Sequence, residues 1–412
     1  FCYKWISKIM KYKLIFLIFY SFVFSKSEPY VLVVSLDGFR YDYMNFIDTP
    51  NLNYLKENGV KSKSLKPIFP SLTFPNHYSI ATGCYSNEHK ITGNKFYSKE
   101  FQKYYSYKDA ATVLDGRFYG CEPIWVKAEK QGIKSATYFW VGSEAEIQNY
   151  RPSIYKKYNP KISFKSRIDS AMSWIDLPYE LSPRLIMLYF NEPDRSGHVN
   201  GPRSSITIDQ IARMDSLMGY LIEQINKRDK NINLIVLSDH GMVEVKNTHI
   251  IIDDYINLDN YNVFGSGSFI QLELKNNENS FIKKELNNVP NIKYYFQNQI
   301  PERYKFVNIN TKDILIVAEE GYLIGLRENL NGGLFTLKGM HGYDPENINM
   351  HGIFYAYGPV FKKQKIVNSF ENTMIHKLIC NILEIEIYND EIIKSIIKWI
   401  IFKWNFLNTD PY

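Results

Sequence analysis

The chain has 412 residues, of which 45% are hydrophobic and 16% aromatic, enough to bury the core of one large α/β domain or two ordinary ones. Its formal net charge of +6 comes from 49 basic and 43 acidic side chains that are mixed along the sequence. This mixing indicates a mildly basic surface and argues against a sequence-specific nucleic-acid partner, which would require clustered basic residues.

The N-terminus has the pattern of a targeting signal. A short basic patch precedes an apolar run at 14–24, and polar residues follow that run. Eleven apolar residues are too few to span a bilayer, but they match the hydrophobic region of a signal peptide. We therefore predict a signal peptide over 1–27, with Met10 as the true start and 1–9 upstream of it. The mature protein would begin near Glu28 and be secreted or held at the cell surface; an uncleaved anchor is the alternative.

Strand and helix patterns alternate after this signal. The first predicted strand is the nearly continuous β-branched run 29–36, a pattern typical of a strand buried on both faces. Alternation of this kind predicts an α/β fold with a mostly parallel sheet and helices on both sides. The predicted helices are 52–58 (capped by Thr49), 121–131, 165–177, 204–228 and 370–383, and the later strands are 134–140, 185–190, 234–237 and 352–357.

Two aspartate–histidine pairs come just after two of these strands. They are Asp194 with His198, and Asp239 with His240. Ligands of such sheets bind beyond the carboxyl ends of the strands, and Asp37 follows the first strand at the same predicted edge. Because carboxylate and imidazole are the ligands of catalytic zinc, we expect metals in one shared cleft. Taken alone, either pair is more simply a structural contact between a carboxylate and a histidine.

A candidate nucleophile lies between the first and second strands. Pro75 is acceptable in the first turn of a helix that ends before Gly83, which places Thr73 at the helix N-terminus. The helix dipole and the free N–H groups favour an anion there, and an alkoxide bound to a dication can attack phosphorus. An ordinary threonine N-cap is the alternative, and the local sequence alone favours that alternative.

The segment 255–335 differs from the rest of the chain. Short strand-like stretches alternate there with turns rich in asparagine and glycine, which predicts an antiparallel insertion. Its predicted strands are 263–274, 292–296, 314–318 and 321–326. A glycine-flanked loop that contains His341 follows the insertion.

The C-terminal segment, 386–412, contains an apolar run that is interrupted by Lys394 and Lys398. These lysines argue against a lipid-spanning helix, and their spacing places both charges on one face of an amphipathic helix. A membrane-surface helix, a packing helix and an incorrectly assigned tail all fit this pattern.

Five motifs occur in one order along the chain, and together they resemble the ectonucleotide pyrophosphatase/phosphodiesterase family of the alkaline phosphatase superfamily. They are 33–40, 70–78, 192–198, 238–242 and 341–344. The resemblance covers about residues 29–385 and looks closest to the small single-domain members. It implies an alkaline-phosphatase-like three-layer sandwich, with a catalytic domain at 28–385 that includes the insertion 255–335.

The resemblance implies a site for two zinc ions. One ion would be held by Asp194, His198 and His341, and the other by Asp37, Asp239, His240 and the oxygen of Thr73. Two dications against three aspartates leave about one positive charge, which suits an anionic phosphate group. His351 competes with His341 for the ligand role, but the family motif favours His341.

The resemblance also implies a two-step, in-line reaction. Thr73 would attack phosphorus and form a covalent threonine intermediate, which water then hydrolyses. Asn94 matches the family residue that donates a hydrogen bond to a phosphate oxygen, although by itself it is also an ordinary turn asparagine.

The implied substrate pocket is aromatic. Phe74 and Tyr158 match residues that stack on a nucleobase, and Trp140 and Tyr189 match further pocket walls. In so aromatic a chain, any one of these rings is more simply a core residue. Two positions depart from the family: Glu144 stands where aspartate is usual, and Val113 stands where a pocket lysine is expected.

The leading hypothesis is a secreted or cell-surface zinc phosphodiesterase, a monomer that converts nucleotide pyrophosphates or phosphodiesters into nucleoside 5′-monophosphates. A choline lysophospholipid phosphodiesterase is one alternative, but it requires an anionic residue beside an aromatic cage, and the sequence does not place one. A non-catalytic binding protein is a second alternative, which the intact ligand set argues against. A strict phosphomonoesterase is disfavoured because the motifs match the diesterase branch.

Overall fold

The computed structural model describes residues 28–275, 282–331 and 333–386. The predicted signal peptide, and all of the C-terminal segment beyond residue 386, lie outside these ranges. Within them, no helix combines the length and the apolar character that a membrane crossing requires.

An eight-stranded sheet forms the centre of the molecule. Tyr30–Leu36 lies between Leu185–Phe190 and Ile232–Leu237 and runs parallel to both. All of its residues are buried, as a β-branched run in a covered parallel sheet should be. Only Phe354–Tyr357 runs antiparallel to its neighbours among the described strands of this sheet. In spatial order the strands are Lys365–Val367, Val60–Ser62, Phe354–Tyr357, Ile232–Leu237, Tyr30–Leu36, Leu185–Phe190, Ser135–Tyr138 and Ile154–Lys156.

Helices cover both faces of this sheet, because alternate residues of its strands enter two different cores. One core joins the sheet to Thr73–Thr82, Ile124–Lys130 and Met374–Ile382. The other core joins it to Pro50–Asn58, Phe164–Ile175 and Ser205–Asn226. The predicted α/β sandwich with a mostly parallel sheet is confirmed. The remaining described α-helices are Ser86–His89, Ala110–Val113, Asp194–Asn200 and Ile282–Asn287.

A second, four-stranded sheet is antiparallel and lies within the stretch where short strands were predicted. Its order is Tyr261–Phe264, Phe269–Leu274, Ile314–Ala318 and Ile292–Phe296. The prediction of one strand over 263–274 was wrong, because Gly265 and Gly267 adopt positive φ values and turn the chain back. The prediction for 321–326 was too long, since only Ile324–Gly325 pairs as a strand.

Four two-stranded ladders complete the described strands. They are Lys95–Ser98 with Lys103–Ser106, Val243–Glu244 with Gly339–Met340, Ile250–Ile251 with Ile324–Gly325, and Leu65–Lys66 with Phe370–Glu371. A disulfide joins Cys84 to Cys121, and Cys380 is a buried free thiol. This agrees with the odd number of cysteines that follows the predicted signal peptide.

The helix Pro50–Asn58 is capped from a distance rather than by its own threonine. Thr49 occupies the N-cap position, but its side chain makes no capping hydrogen bond, so the predicted local cap was wrong. The buried carboxylate of Asp215 accepts instead, at 3.2 Å from the backbone N–H of Asn51 and 2.8 Å from that of Leu52. Tertiary packing therefore supplies the acceptors that the helix N-terminus needs.

We expect Asp215→Ala to lower the free energy of unfolding by about 2–3 kcal/mol, because it leaves the buried N–H groups of that helix without an acceptor. Urea denaturation followed by circular dichroism measures the change. Asp209→Ala, an exposed position on Ser205–Asn226, the helix that carries Asp215, is the control and should shift stability by less than about 0.5 kcal/mol. Equal stabilities of the two variants would contradict the capping role.

Candidate functional site

The predicted ligand aspartates meet at the carboxyl edge of the main sheet. The parallel pairing of Tyr30–Leu36 with both neighbouring strands ends all three strands at the same level. There the backbone N–H of Asp194 donates to the carbonyl of Asp37 at 2.9 Å. The N–H of Gly38 donates to Oδ1 of Asp239 at 3.2 Å. The strand register therefore brings together three carboxylates that are distant in the sequence.

The three predicted ligand histidines all direct the same nitrogen towards this edge. Nδ1 of His198, His240 and His341 each bonds a backbone carbonyl, which requires a proton on Nδ1 and leaves a lone pair on Nε2. The acceptors are Gly339 at 2.8 Å, Gly241 at 2.9 Å and Ser71 at 2.8 Å, respectively. Hydrogen bonds of this kind fix the tautomer and ring orientation of metal-binding histidines.

Asp194, His198 and His341 form a compact group of potential ligand atoms. Oδ1 of Asp194 lies 3.4 Å from Nε2 of His198 and 3.5 Å from Nε2 of His341. The two Nε2 atoms are 3.1 Å apart. Ligands bound tetrahedrally at about 2.0–2.1 Å from zinc are themselves about 3.3 Å apart. Two unprotonated nitrogens at this distance have no hydrogen to share, so the spacing suits a bound cation.

Asp37, Asp239 and His240 form the second group. Nε2 of His240 lies 3.5 Å from Oδ1 of Asp37 and 3.1 Å from Oδ2 of Asp239. The hydroxyl of Thr73 lies 3.3 Å from the same nitrogen. The rings of His240 and His341 stack with their centroids 3.6 Å apart, so the two groups adjoin. His240 is also close enough to Asp194 and His341 to be grouped with them.

Among the described residues, the carboxylates of these groups have no hydrogen-bond donor at the oxygens that face the histidines. Oδ1 of Asp37, Oδ1 of Asp194 and Oδ2 of Asp239 are buried and accept no hydrogen bond. Burial, followed by the repulsion of Asp239 and Asp194, raises the pKa of Asp37. Burial and the neighbouring imidazoles of His240 and His198 lower the pKa of His341. A cation would satisfy the orphaned oxygens and the lone pairs together, so the donor set fits a metal.

The structure places Thr73 as the first residue of the helix Thr73–Thr82, the position predicted from Pro75. His77 stabilises this turn: its Nδ1 donates to the carbonyl of Thr73 at 2.9 Å, and its Nε2 accepts from Ser35 at 2.8 Å. The same Nδ1 lies 3.2 Å from Oδ2 of Asp239. His77 therefore links the candidate nucleophile to a metal-ligand candidate, a connection that no local sequence pattern indicates.

A cavity of about 570 Å³ opens beside Thr73 and the first ligand group. All five predicted substrate-binding residues line it: Phe74, Asn94, Trp140, Tyr158 and Tyr189. Oδ1 of Asn94 accepts from the backbone N–H of Phe74 at 3.0 Å, which leaves the Nδ2 amide as its donor. Such a donor beside the nucleophile suits a phosphate oxygen.

Hydrogen bonds fix two aromatic side chains of the cavity to the metal-ligand region. The hydroxyl of Tyr189 donates to Oδ2 of Asp37 at 2.5 Å. Nε1 of Trp140 donates to the carbonyl of His77 at 3.1 Å. Tyr158, by contrast, is half exposed. The cavity therefore has a fixed inner end and a more open outer wall.

The structure adds cavity residues that the sequence reading missed. Tyr107 and Lys108 follow the hairpin that begins after Asn94, and Phe139 precedes Trp140. No spacing signal marks these positions, because the contacts form only when separate loops meet. Val113, noted as a departure from the family pattern, also lines the cavity.

The sequence alone does not place an anionic residue beside the aromatic rings, but the structure does. Glu144 lines the same cavity as those rings. Its Oε1 accepts from the backbone N–H of Tyr158 at 2.8 Å, and burial raises the pKa of its carboxyl. The cavity therefore offers the carboxylate of Glu144, beside its aromatic rings, to a donor group or cation on a ligand.

His351 does not belong to either ligand group. Its Nδ1 lies 2.8 Å from the hydroxyl of Ser64, and its Nε2 lies 2.9 Å from the carbonyl of Pro345. Both ring nitrogens are thus engaged away from the aspartates, and His341 is the histidine of this region that faces them.

Gly38 leaves the space that Asp194 needs, because a Cβ added at Gly38 would lie 2.8 Å from the Cβ of Asp194. We expect Gly38→Ala to displace this carboxylate and weaken zinc binding by about tenfold or more, measured by zinc titration of the metal-free protein. Gly132→Ala is the matched control, since Gly132 also has positive φ but an added Cβ would meet nothing within 4 Å. Equal zinc affinity in the two variants would contradict this packing role.

Known proteins are similar to this chain in sequence and in fold. A model described as type I phosphodiesterase / nucleotide pyrophosphatase matches residues 31–344. The chain is 33% identical over 372 residues to a venom phosphodiesterase of Naja atra. It is 34% identical over 372 residues to ectonucleotide pyrophosphatase/phosphodiesterase family member 1 of Rattus norvegicus. These matches cover 86% of this chain but 44% and 41% of those relatives, so the chain spans less than half of their length.

A solved structure matches over nearly its full length. Murine ectonucleotide pyrophosphatase / phosphodiesterase 5 superposes with a TM-score of 0.82 at 32% identity, covering 88% of this chain and 96% of that chain. An inactive threonine-to-alanine variant of that protein, in complex with AMP, matches at 33% identity, again with a TM-score of 0.82 and coverage of 88% and 96%. The chain belongs to the type I phosphodiesterase/nucleotide pyrophosphatase family of the alkaline phosphatase superfamily.

Proposed function

We propose that this protein is a phosphodiesterase/pyrophosphatase that cleaves nucleotide pyrophosphates or phosphodiesters and releases nucleoside 5′-monophosphates. The observation that carries the proposal is the position of Thr73, whose hydroxyl lies 3.3 Å from Nε2 of His240 and opens into the aromatic cavity. The relatives named as phosphodiesterases, and the AMP complex of the murine relative, support the same class of substrate.

We propose two zinc ions as the cofactors. Asp194, His198 and His341 would hold one ion, and Asp37, Asp239, His240 and the oxygen of Thr73 would hold the other. Three ligands from aspartate and histidine, with positions left for substrate, are typical of catalytic zinc. When bound, the metals would supply Lewis-acid activation and neutralise charge on the phosphate group.

The chain's own residues then account for the covalent chemistry. Oγ1 of Thr73 would attack phosphorus while the opposite P–O bond breaks, which leaves the phosphoryl or nucleotidyl group on the threonine. Water would then form the new P–O bond and release Thr73. Nδ2 of Asn94 would donate to a non-bridging oxygen as charge develops on it, and the N-terminus of the helix Thr73–Thr82 favours the same charge.

The aromatic cavity would hold the nucleoside. Phe74 and Tyr158 offer rings for stacking, which contributes roughly 1–3 kcal/mol per base and tolerates any base. Trp140 and Tyr189 would form the inner walls, since hydrogen bonds already fix both side chains. A small-molecule nucleotide therefore fits better than a polymer read by sequence.

We also propose that 28–385 forms the catalytic domain, with 255–335 as its β-rich insertion, and that it acts as a monomer. A secreted or cell-surface location fits the predicted signal peptide and the names of the venom and ectonucleotide relatives. The predicted C-terminal tail, 386–412, lies beyond this domain.

The proposed function predicts that the zinc-loaded protein hydrolyses the p-nitrophenyl ester of thymidine 5′-monophosphate, loses this activity in chelator and regains it with zinc. Thr73→Ala should lower kcat by at least about a thousandfold while zinc still binds, because the attacking oxygen is gone. Thr73→Ser, which keeps a hydroxyl, is the matched control and should retain measurable turnover. Full activity of Thr73→Ala would contradict the nucleophile assignment.

A choline-headed lysophospholipid is a second candidate substrate, because Glu144 lies beside the aromatic rings. A carboxylate and an aromatic cage together suit a quaternary ammonium group.

Glu144→Gln separates the two classes, since the amide keeps an oxygen for the N–H of Tyr158 but loses the charge. We expect kcat/KM for the thymidine ester to change by less than about threefold, because stacking does not depend on this charge. If the lipid is the substrate, the variant should instead lose about tenfold or more against lysophosphatidylcholine. Efficient lipid cleavage by the wild-type protein, without nucleotide cleavage, would contradict the leading proposal.

A further inference from the structure

Arg167 is a fully buried charge behind the wall of the aromatic cavity. Its Nη1 donates to the carbonyl of Tyr189 at 2.7 Å, and its Nη2 donates to the carbonyl of Ile162 at 3.2 Å. Within the described ranges, no carboxylate forms an ion pair with it, and its Nε has no hydrogen-bond partner. A buried arginine is normally paired with an acid, so this one requires another explanation.

Three aromatic rings surround the guanidinium group. Its carbon lies 4.7 Å from the ring centroid of Phe164, 4.9 Å from that of Phe139 and 5.5 Å from that of Phe190. The negative faces of such rings attract a cation, and the two carbonyl dipoles add to this attraction. The rings and carbonyls therefore stabilise the charge in place of a carboxylate, and the two bonds to carbonyls set the orientation of the planar group.

Two of the groups that Arg167 contacts belong to the cavity wall. Phe139 lines the cavity and has a positive φ of 67°, a conformation that bulky residues adopt only when their surroundings enforce it. The ring of Tyr158 rests on Phe139, with centroids 5.2 Å apart. Tyr189, whose carbonyl accepts from Arg167, directs its hydroxyl to Asp37.

We propose that Arg167 is a positioning residue that fixes the base-facing wall formed by Phe139, Tyr158 and Tyr189. It does not line the cavity, so it acts through these rings. A guanidinium group can bond two carbonyls and stack on rings at once, whereas the ammonium of lysine has no planar face. The inference rests on the proposed function, because it assigns the wall to the nucleoside part of the substrate.

The test compares two substrates of the zinc-loaded protein: the p-nitrophenyl ester of thymidine 5′-monophosphate, and methyl p-nitrophenyl phosphate, which has no nucleoside. Arg167→Met removes the charge but keeps the length of the side chain. We expect KM for the thymidine ester to rise about tenfold with kcat nearly unchanged, because a mobile wall stacks poorly on the base. For the methyl ester, kcat/KM should change by less than about threefold.

Phe164→Leu is the matched control, because Phe164 contacts the guanidinium but does not line the cavity. It should lower the thermal midpoint like Arg167→Met but leave KM for the thymidine ester within about twofold, since the bond to Tyr189 remains. If Arg167→Met does not fold, Arg167→Lys replaces it in this comparison. Its KM for the thymidine ester should rise by less than the tenfold that we expect for Arg167→Met. Equal losses of kcat/KM on both esters would overturn the proposal. Equal changes of KM for the thymidine ester in the Phe164 and Arg167 variants would overturn it as well.

AMP binding, measured by titration calorimetry, separates this inference from the proposed function. Absence of turnover by the wild-type protein would contradict the enzyme assignment alone. Wild-type binding of AMP that weakens about tenfold in Arg167→Met, with unchanged binding of inorganic phosphate, would still support the wall role. Unchanged AMP affinity in the variant would overturn it.

Discussion

The convergence of three carboxylates, each with a buried oxygen, at one sheet edge is the constraint on which the rest of the structure depends. Among the described residues, Asp37, Asp194 and Asp239 each leave an oxygen without a hydrogen-bond donor. Burial, followed by the repulsion of Asp239 and Asp194, raises the pKa of Asp37. Such an arrangement is unfavourable in the protein alone. The histidines turn their Nε2 atoms towards these carboxylates, so the same edge collects nitrogen and oxygen ligand atoms. Bound cations relieve this unfavourable arrangement, and the same cations would bind an anionic substrate beside Thr73.

The aromatic cavity depends on this edge as well. Tyr189 connects the two, since its ring forms a cavity wall while its hydroxyl donates to Asp37. His77 connects them again, because it bonds the carbonyl of Thr73 while its own carbonyl accepts from Trp140. Recognition of a ligand and the geometry of the metal-ligand region are therefore mechanically linked. Arg167 extends this connected network away from the metal-ligand region, to the outer wall of the cavity.

Helices and strands that carry a local sequence pattern were predicted correctly. A buried apolar run predicted the strand Tyr30–Leu36, and a proline in the first turn predicted the helix Thr73–Thr82. Features that depend on distant partners were not recognised. Asp215 caps a helix from far along the chain, and two glycines with positive φ divide the strand predicted over 263–274. Tyr107, Lys108 and Phe139 enter the cavity only after separate loops come together.

The sequence by itself determined the family, the carboxyl ends of the three strands that precede the aspartates, and the residue types that chemistry at phosphorus requires, because these follow from order, spacing and side-chain identity. Only the tertiary structure decided which nitrogen of His198 and His341 faces the aspartates, since carbonyls from distant segments set their tautomers. It also decided that Glu144 lies beside the aromatic rings and that Arg167 stands behind them, bonded to the carbonyl of Tyr189. Burial and hydrogen-bond partners are properties of packing, and no local pattern encodes them.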